Sequence, residues 1–304
     1  MTKPERDGQR EGANSPTTND LATDSNLTNP PVILITGCST GIGRHCAFAM
    51  QQHGWRVFAT ARQPEDVEAL KNAGLHDALP LDVDNDTSIQ RAVDTLLGRT
   101  SGRIDAVFNN AGFGQPGAVE DLPREALREQ FETNVFGAQA VIRAVLPAMR
   151  ARGHGRIVQH SSVLGFIGLP WRGAYNASKY ALEGLTDTLR QELRGSGVEA
   201  ILIQTGPVTS EFRTTGRKKF DRWIDPATSP HEVTYQGVID RLESEGDPPF
   251  TLGADAVARK LRKAVESTRP KPRYHVTVPT HVFKALRRIL PTRALDTVIR
   301  WVNG

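Results

Sequence analysis

The sequence predicts an α/β fold in which helices cover both faces of a doubly wound parallel sheet. Short apolar runs of strand length alternate with helical patterns from residue 31 to residue 205. This alternation is typical of right-handed crossovers between parallel strands. Glycines and polar residues follow the strands directly, at the edge where such a sheet binds its ligands. With 304 residues, 38% of them hydrophobic, the chain can bury one core of this size.

The elements follow each other in a regular order. Six strands are predicted, in chain order PVILIT, WRVFAT, LPLDV, RIDAVFNN, GRIVQHSS and VEAILIQT. Helices are predicted between them, at 44–54, after Pro64, over 89–97, over 124–150 and in the segment GAYNASKYALEGL that begins at Gly173. The chain shows no internal repeat, so we expect a single domain.

The two ends of the chain differ in composition from the middle. Residues 1–30 are polar and have few apolar side chains, so we expect a disordered tail. No signal-peptide pattern and no run of bilayer length occur, which predicts a cytoplasmic protein. From Thr251 onward twelve Lys and Arg stand against three Asp and Glu. No nucleic-acid motif accompanies this positive charge, so we expect no nucleic-acid partner.

Cysteine use is sparse. Cys38 and Cys46 are the two cysteines of the chain, and this argues against a disulfide framework. We expect reduced thiols and no metal site.

A glycine-rich turn follows the first strand. The segment T-G-C-S-T-G-I-G places Gly37, Gly41 and Gly43 where a strand passes into a helix. Glycines there allow backbone N–H groups and the helix N-terminus to approach a pyrophosphate. The spacing differs from G-x-G-x-x-G, and the absence of a G-K-[ST] ending disfavours a P-loop. A glycine turn without a ligand is the alternative.

Tyr175 and Lys179 stand four residues apart in a predicted helix. Side chains at this spacing are neighbours on a helix surface, and a nearby cation favours the phenolate. Tyr175 is therefore a candidate acid/base group. A solvated surface pair is the alternative that this spacing also allows.

Together these motifs resemble the short-chain dehydrogenase/reductase family. T-G-x-x-x-G-I-G, then NNAG at 109–112, a serine thirteen residues before the tyrosine and Y-x-x-x-K occur in the family order. The resemblance covers about residues 32–212. The segment from LPAMRARG to KYALEGL, followed by GPV at Gly206, is most similar to the NADP(H)-type branch that handles steroids, retinoids and related hydrophobic molecules. It implies a Rossmann-type catalytic domain over 31–280.

The resemblance implies a role for each catalytic residue. Tyr175 protonates a carbonyl oxygen in reduction or removes a hydroxyl proton in oxidation, with Lys179 supplying charge because an unperturbed phenol has a pKa of about 10. Ser162 donates a hydrogen bond to the substrate oxygen, and its neighbour Ser161 is the competing candidate. Asn134 holds a water in the proton relay, although an ordinary kink or cap is the alternative for an asparagine within a helix.

The implied cofactor is NADP(H) in preference to NAD(H). Ala61 stands where NAD-preferring members carry an acid at the end of the second strand, and Arg62 follows it. A surface arginine is the alternative, and Thr40 occupies the place of a second basic residue. Asp82 either bonds the adenine amino group, or it makes a turn or caps the helix that begins near Asp86. The expected cofactor contacts are Gly37, Ser39, Thr40, Gly41, Ile42, Gly43, Arg62, Asp82, Asn109, Ala111, Tyr175, Lys179, Pro207 and Val208.

The last hundred residues are expected to serve the substrate side. Residues 206–250 look like a mobile lid, with Phe212, Phe220 and Trp223 lining the site or packing on the body. Residues 281–304 predict one basic amphipathic helix. It could pack on its own domain, bind a partner or make peripheral contact with a membrane.

The sequence is compatible with two classes of function. The first is an NADP(H)-dependent oxidoreductase for a hydrophobic alcohol or carbonyl, namely a steroid-, retinoid- or lipid-like aldehyde or ketone. The second is a non-catalytic NADP(H)-sensing binding protein on the same fold. A hydrolase using Ser162 lacks a placed His/Asp pair, because His160 is expected to point to the other face of its strand. We expect a homodimer or homotetramer by resemblance.

Overall fold

The computed structural model describes residues 29–244 and 246–303. Seven parallel strands form one sheet in the order β3-β2-β1-β4-β5-β6-β7. The strands are β1 Val32–Ile35, β2 Arg56–Ala61, β3 Leu79–Pro80, β4 Ala106–Asn109, β5 Gly155–Ser162, β6 Val198–Thr205 and β7 Arg273–His275. The chain moves outward from β1 to β3 and then returns to β4, so strand order reverses between β1 and β4. The predicted doubly wound parallel sheet is confirmed.

Helices connect the strands and cover both faces of the sheet. They are α1 Gly41–Gln52, α2 Pro64–Asn72, α3 Asp86–Arg99, α4 Arg124–Phe131, α5 Ala138–Arg152, α6 Gly173–Glu192, α7 Phe212–Trp223, α8 Glu232–Glu243, α9 Ala254–Glu266, α10 Val278–Ile289 and α11 Thr292–Asn303. The seventh strand was not predicted, because its three residues are too few to show an alternating pattern.

The core consists of two layers, one on each face of the sheet. Successive side chains of a strand point to opposite faces. On β1, Ile33 and Ile35 therefore pack with α1 and α9, whereas Val32 and Leu34 pack with α3 and α5. This double burial explains why the central strands are continuous apolar runs.

A third apolar cluster joins α4, α7 and α8 beyond the carboxyl ends of the strands. Phe220, Ile224 and Tyr235 are buried in it. The Tyr235 hydroxyl donates to the Asp121 carboxylate and accepts from the Ala118 N–H at 2.9 Å. Of the predicted lid aromatics, Phe220 thus packs into the body and does not line the site.

The long helix predicted over 124–150 is two helices separated by a π-helical turn, Glu132–Gly137. Such turns insert an extra residue and commonly mark functional sites. This turn packs closely on the segment before α3, since a Cβ on Gly137 would lie 2.5 Å from the Val83 carbonyl oxygen. The prediction of one regular helix was wrong at this point.

The single helix predicted over 281–304 is also wrong, because the chain forms α10 and α11 instead. Pro291 has no N–H to donate and disfavours helical backbone at the preceding residue. Leu290 is accordingly extended, with φ −87° and ψ 137°.

Three sequence expectations concern the ends and the thiols. Residues 1–28 of the predicted tail lie outside the described residues. Cys38 and Cys46 are buried free thiols, and burial raises the pKa of Cys38 to about 12. Within residues 29–244 and 246–303, no helix combines the length and the apolar character needed to span a bilayer.

The burial of β1 predicts unequal effects for the same substitution at two isoleucines. Ile33 is 0% exposed and Ile289 is 76% exposed. We expect Ile33→Ala to lower the free energy of unfolding by about 2–5 kcal/mol, because it leaves a cavity in the core. Ile289→Ala should change it by less than about 0.5 kcal/mol. Urea denaturation of both variants checks this, and equal losses would contradict the described packing.

Candidate active site

Tyr175 and Lys179 lie in the first turns of α6, which begins at Gly173 beside the end of β5. The Lys179 Nζ is 5.7 Å from the centroid of the Tyr175 ring. The predicted spacing therefore does bring the phenol and the ammonium together. Neither side chain is a solvated surface group, since Lys179 is buried and Tyr175 is half-buried.

The electrostatics of Tyr175 differ from the expectation. Burial raises the pKa of the phenol to about 12, and this outweighs the opposite effects of a hydrogen bond with Ser162 and of the Arg172 charge. The cation that favours the phenolate in this state is thus Arg172, and Lys179 is not among the causes. At neutral pH the phenol is protonated and can act as a proton donor.

Lys179 is fixed by a backbone contact. Its ammonium donates to the His160 carbonyl oxygen at 2.7 Å. Burial lowers the pKa of Lys179 to about 8, whereas the Glu183 charge opposes that shift. The ammonium form is therefore favoured below about pH 8 and lost above it.

Ser162 ends β5 and lies beside Tyr175, whereas Ser161 does not. The Ser162 Oγ accepts from the Leu164 N–H at 3.1 Å and is 3.3 Å from the Thr205 carbonyl oxygen. Ser161 points to the opposite face of the sheet, where its hydroxyl is buried without a partner among the described residues. The geometry favours Ser162 over the competing serine.

Asn134 lies in the π-helical turn and is buried. Its Oδ1 accepts from the Phe113 N–H at 3.1 Å. Its Nδ2 lies 3.0 Å from the Phe113 carbonyl oxygen and 3.1 Å from the Ser178 hydroxyl. Ser178 in turn donates to the Tyr175 carbonyl oxygen at 2.9 Å. The amide thus ties the 113 loop to the turn of α6 that carries the phenol.

The glycine-rich turn forms a tight cradle between β1 and α1. Gly37 and Gly41 have φ values of 70° and 56°, which favour glycine. A Cβ on Gly43 would lie 2.1 Å from the Gly37 carbonyl oxygen and 2.4 Å from the Asn110 Nδ2. The close approach of backbone to backbone therefore requires glycine at position 43.

This cradle fits the pyrophosphate of a dinucleotide. Thr40 precedes α1 in extended conformation, and its side chain makes no capping hydrogen bond to the first turn. The N–H groups of Gly41 and Ile42 thus have no hydroxyl competing for them, and a helix N-terminus favours an anion. Ser39 is half-buried in the same turn. The residues present fit the cofactor that the sequence predicts.

The two residues expected to determine cofactor preference, Ala61 and Arg62, lie at the end of β2. Ala61 is buried and Arg62 is exposed, at the edge where α1 begins. The guanidinium lies near Asp84, whose pKa burial raises and Arg62 lowers. Asp82 follows β3, and its Oδ1 accepts from the Asp84 N–H at 3.2 Å. The cap of α3 is Asn85, which accepts from the Ser88 N–H, so the capping alternative for Asp82 was wrong.

The remaining predicted contacts surround the same edge. Ala111 touches the glycine turn, since its Cα would be 2.8 Å from a Cβ on Gly37. Asn109 instead directs its Nδ2 to the Ala138 carbonyl oxygen at 3.1 Å, which is a structural contact with α5. Pro207 accepts from the Leu252 N–H, and the adjacent Val208 bridges to Leu252.

Sequence reasoning missed Asn110. Its Nδ2 donates to the carbonyl oxygens of Thr36 and Gly37 at 2.9 and 3.0 Å. Its Oδ1 accepts from the His160 Nδ1 at 3.1 Å. One amide therefore connects β1, β4 and β5 at the point where strand order reverses. The NNAG motif was a signal for it, but the first asparagine was chosen.

His160 occupies a different position from the one expected. Alternation along β5 places it on the same face as Ser162, so the prediction of the opposite face was wrong. Burial and the Lys179 charge lower the pKa of His160 to about 3, so the ring is neutral. It is oriented by an amide and not by a carboxylate, which does not match a hydrolase triad.

Phe212, the first residue of α7, lies against Tyr175. Its ring centroid is 5.2 Å from that of Tyr175 in a T-shaped contact. Gly114 makes room for it, because a Cβ there would lie 2.5 Å from the Phe212 Cζ. Trp223, the third predicted lid aromatic, donates through its indole to Glu129 at 2.9 Å.

A protein with this sheet, this glycine turn and a Ser-Tyr-Lys group beside it has the architecture of a nicotinamide-dependent oxidoreductase. The short chain dehydrogenase family model matches residues 31–220. The chain belongs to the short-chain dehydrogenase/reductase family, and it is an oxidoreductase that acts on CH–OH donors.

Relatives support this membership along most of the chain. The uncharacterized oxidoreductase YbbO of Escherichia coli is 41% identical over 88% of this chain and 93% of its own length. The NADPH-dependent 3-dehydrocapnine reductase of Ornithobacterium rhinotracheale is 30% identical over 87% and 94%. Retinol dehydrogenase 8 of Bos taurus is 31% identical over 88% of each.

Solved structures share the fold. A short-chain dehydrogenase from Streptomyces avermitilis superposes with a TM-score of 0.71 at 28% identity, covering 90% of this chain and 99% of that chain. The closed form of serine dehydrogenase complexed with NADP+ gives 0.70 at 25% identity over 82% and 95%. A family member from Burkholderia phymatum in complex with NAD gives 0.70 at 26% identity over 86% and 92%. Neighbours thus bind either cofactor.

Replacing glycine by alanine should have different effects on NADPH binding at Gly43, in the glycine-rich turn, and at Gly184, in α6. Gly43→Ala places a methyl group against a backbone carbonyl, so NADPH affinity should fall at least about tenfold. Gly184 lies in α6 with nothing within 4 Å of an added Cβ. Gly184→Ala should leave affinity unchanged and stabilise the protein by about 0.5–1 kcal/mol. NADPH fluorescence titration measures both, and unchanged binding by the Gly43 variant would contradict the cradle.

Proposed function

We propose that the protein is an NADP(H)-dependent oxidoreductase of hydrophobic alcohols and carbonyls, with Tyr175 as its acid/base group. The observation that carries the proposal is the joint position of Ser162, Tyr175 and Lys179 beside the glycine cradle. When bound, the nicotinamide cofactor supplies or accepts the hydride. The protein's own side chains handle the proton and the developing charge.

Tyr175 is proposed to donate its proton to the substrate oxygen during reduction. A buried phenol with a raised pKa holds that proton at neutral pH, which suits a donor better than a base. In the reverse direction the phenolate would need nearby positive charge. Arg172 already acts in this sense, and the buried Lys179 ammonium can add to it.

Ser162 is proposed to bind the same substrate oxygen. Its hydroxyl is engaged with the Tyr175 phenol and with neighbouring backbone, so both donors converge on one place. A fixed hydroxyl aimed at the reacting oxygen stabilises charge as it develops there.

Asn134 is proposed to act indirectly, by positioning Tyr175 and without contacting the substrate. Both N–H groups of its side-chain amide and one lone pair of its Oδ1 are used by Phe113 and Ser178, which leaves the second lone pair of the Oδ1 for a water. The backbone of the π-helical turn, where the regular helix bonding is interrupted, offers a second place for such a water. The side chain positions Tyr175 through Ser178.

NADP(H) is proposed as the preferred cofactor. Arg62 is exposed at the end of β2, and no acid stands at Ala61 to repel a 2′-phosphate. The name of the Ornithobacterium rhinotracheale relative specifies NADPH. Asp82, at the neighbouring strand end, is proposed for the adenine side through the carboxylate oxygen that does not accept from the Asp84 N–H.

A hydrophobic substrate is proposed from the surroundings of the phenol. Phe212 lies on Tyr175 and begins α7, the helix that also contributes Phe220 to the apolar cluster of α4, α7 and α8. One relative is a retinol dehydrogenase by name, which agrees with such a substrate. Steroid-, retinoid- or lipid-like aldehydes and ketones fit this description.

A homodimer or homotetramer is proposed through α5 and α6. A small hollow between them is lined by apolar side chains together with Gln139, Gln159 and Thr186. Leu185 and Phe136 beside it are exposed, and exposed apolar side chains on two neighbouring helices are suited to a second copy. The cytoplasmic location stays a prediction.

The first experiment follows NADPH oxidation with a panel of hydrophobic aldehydes and ketones. We expect turnover that Tyr175→Phe lowers by at least about a thousandfold, because general acid catalysis of this size is lost with the hydroxyl. Tyr180→Phe, one residue beyond Lys179 on the same helix, is the matched control. NADPH binding without turnover on any carbonyl or alcohol would favour a cofactor-sensing protein instead.

The pH profile tests the charge of Lys179. Above about pH 8 the ammonium is lost, so kcat/KM should fall on the alkaline side. Glu183 raises the pKa of Lys179, so Glu183→Gln should move that fall to lower pH. Asp187→Asn removes the other carboxylate bound by Arg273 and should leave the profile in place. A pH profile of kcat/KM that is unchanged in the Glu183→Gln variant would contradict the assignment of the alkaline fall to Lys179.

Cofactor preference tests Arg62. We expect Arg62→Ala to weaken NADPH binding by roughly 10- to 100-fold, because a charge-assisted contact with the 2′-phosphate is lost. NADH has no 2′-phosphate, so its binding should stay the same. Arg91→Ala, which removes an exposed arginine of α3, is the control. Equal losses for the two cofactors would contradict a role at the phosphate.

A further inference from the structure

The outer face of α10 is apolar and exposed. Val278, Val282, Ala285 and Ile289 follow each other at spacings of four, three and four residues, which places them in one stripe along the helix. All four are exposed to solvent, Ile289 to 76%. The stripe lies opposite the side of α10 that packs on the body.

Exposed apolar side chains continue into α11. Trp301 is 84% exposed and Val302 is also exposed. In the described part of the chain, five of the thirteen large hydrophobic side chains that are exposed fall between residues 278 and 302. Such a concentration marks an interaction surface more strongly than single exposed residues do.

Positive charge accompanies this surface, which we call the C-terminal face, residues 278–302. It carries Lys284, Arg287, Arg288, Arg293 and Arg300, whereas Asp296 is its one acidic residue. Arg288 neighbours Lys284 on one side and Ala285 of the stripe on the other. Arg288 therefore borders the apolar stripe directly, whereas Arg287 lies on the opposite side of α10, where it bonds the Phe166 carbonyl oxygen.

A cleft of about 480 Å³ opens between α6 and α10 beside these cations. Its acidic members Glu183 and Asp187 are paired with Arg273, at 3.2 and 2.6 Å. Lys284 instead donates to the neutral His275 Nε2 at 2.7 Å, and Arg287 bonds the Phe166 carbonyl oxygen.

In residues 29–244 and 246–303, neither Lys284 nor Arg287 nor Arg288 forms an ion pair with a carboxylate. The cleft therefore has surplus positive charge at its mouth. A phosphate group is the anion that such a group of donors would bind well.

We propose that the C-terminal face docks on an anionic phospholipid membrane, with headgroup phosphates at the mouth of this cleft. The apolar stripe enters the interface between headgroups and acyl chains, and the cations contact the phosphates beside it. This is the arrangement of an amphipathic helix that lies on a bilayer. Trp301 next to Arg300 is typical of the same depth.

Charge decides against a second copy of the chain as the occupant. Two C-terminal faces brought together would place five cations of each against five of the other, with one acid each to offset them. An anionic lipid surface has the complementary sign. The proposal does not rest on the proposed substrate, since it concerns a surface outside the Tyr175 site.

The experiment is co-sedimentation of the full chain with vesicles of equal parts phosphatidylglycerol and phosphatidylcholine, beside vesicles of phosphatidylcholine alone. We expect binding to the anionic vesicles, with a blue shift of Trp301 fluorescence that Trp301→Phe removes. Lys284→Glu with Arg288→Glu should weaken binding at least about tenfold. Val282→Ser with Ile289→Ser should weaken it as well, because the apolar contribution is lost.

The control is Arg91→Glu with Arg194→Glu, which changes net charge equally on exposed residues of α3 and the end of α6. It should bind as the parent does. Equal losses in both charge variants would overturn the proposal, and so would equal sedimentation with neutral vesicles. Self-association abolished by Val282→Ser and Ile289→Ser without any vesicle binding would assign the face to a second copy instead. Circular dichroism and NADPH oxidation confirm that each variant is folded.

Discussion

The bonds made by the Asn110 side chain at the strand-order reversal hold the site in place. They fix two carbonyl groups of the glycine turn on one side and the His160 ring on the other. The backbone of His160 then receives the Lys179 ammonium. The glycine turn and the start of α6 are therefore connected through two half-buried residues, Asn110 and His160. Both side chains are neutral, so their contact does not change in the physiological pH range, whereas the contact of the Lys179 ammonium changes above about pH 8.

Burial has a double effect at Tyr175 and Lys179. It keeps the phenol protonated and lowers the proton affinity of the ammonium, so each group lies closer to its neutral form than it would in water. Glu183 and Arg172 act against these shifts from the next turns of the same helix and from its N-terminal end. The chemistry of Tyr175 and Lys179 is thus set by residues that the Y-x-x-x-K motif does not contain.

The fold and the outline of the site could be predicted because periodicity and motif order are local properties of the sequence. The central strands are apolar throughout, and the glycines stand where the backbone needs them. The π-helical turn and the choice of Asn110 over Asn109 depend on contacts between distant segments. A single sequence does not display these. The helix break at Pro291 could have been predicted from the sequence, because proline has no N–H to donate. The amphipathic pattern that continues across Pro291 was given more weight than the proline.

Because Phe212 contacts Gly114, the residue at position 114 determines whether Phe212 can lie against Tyr175. A methyl group at residue 114 would meet the tip of the phenyl ring and not the backbone, so the ring and the start of α7 would move while the glycine turn stayed intact. Alanine there would therefore displace Phe212 from Tyr175. The cover over Tyr175 thus depends on the absence of a side chain at residue 114, a position that lies outside the group of Ser162, Tyr175 and Lys179.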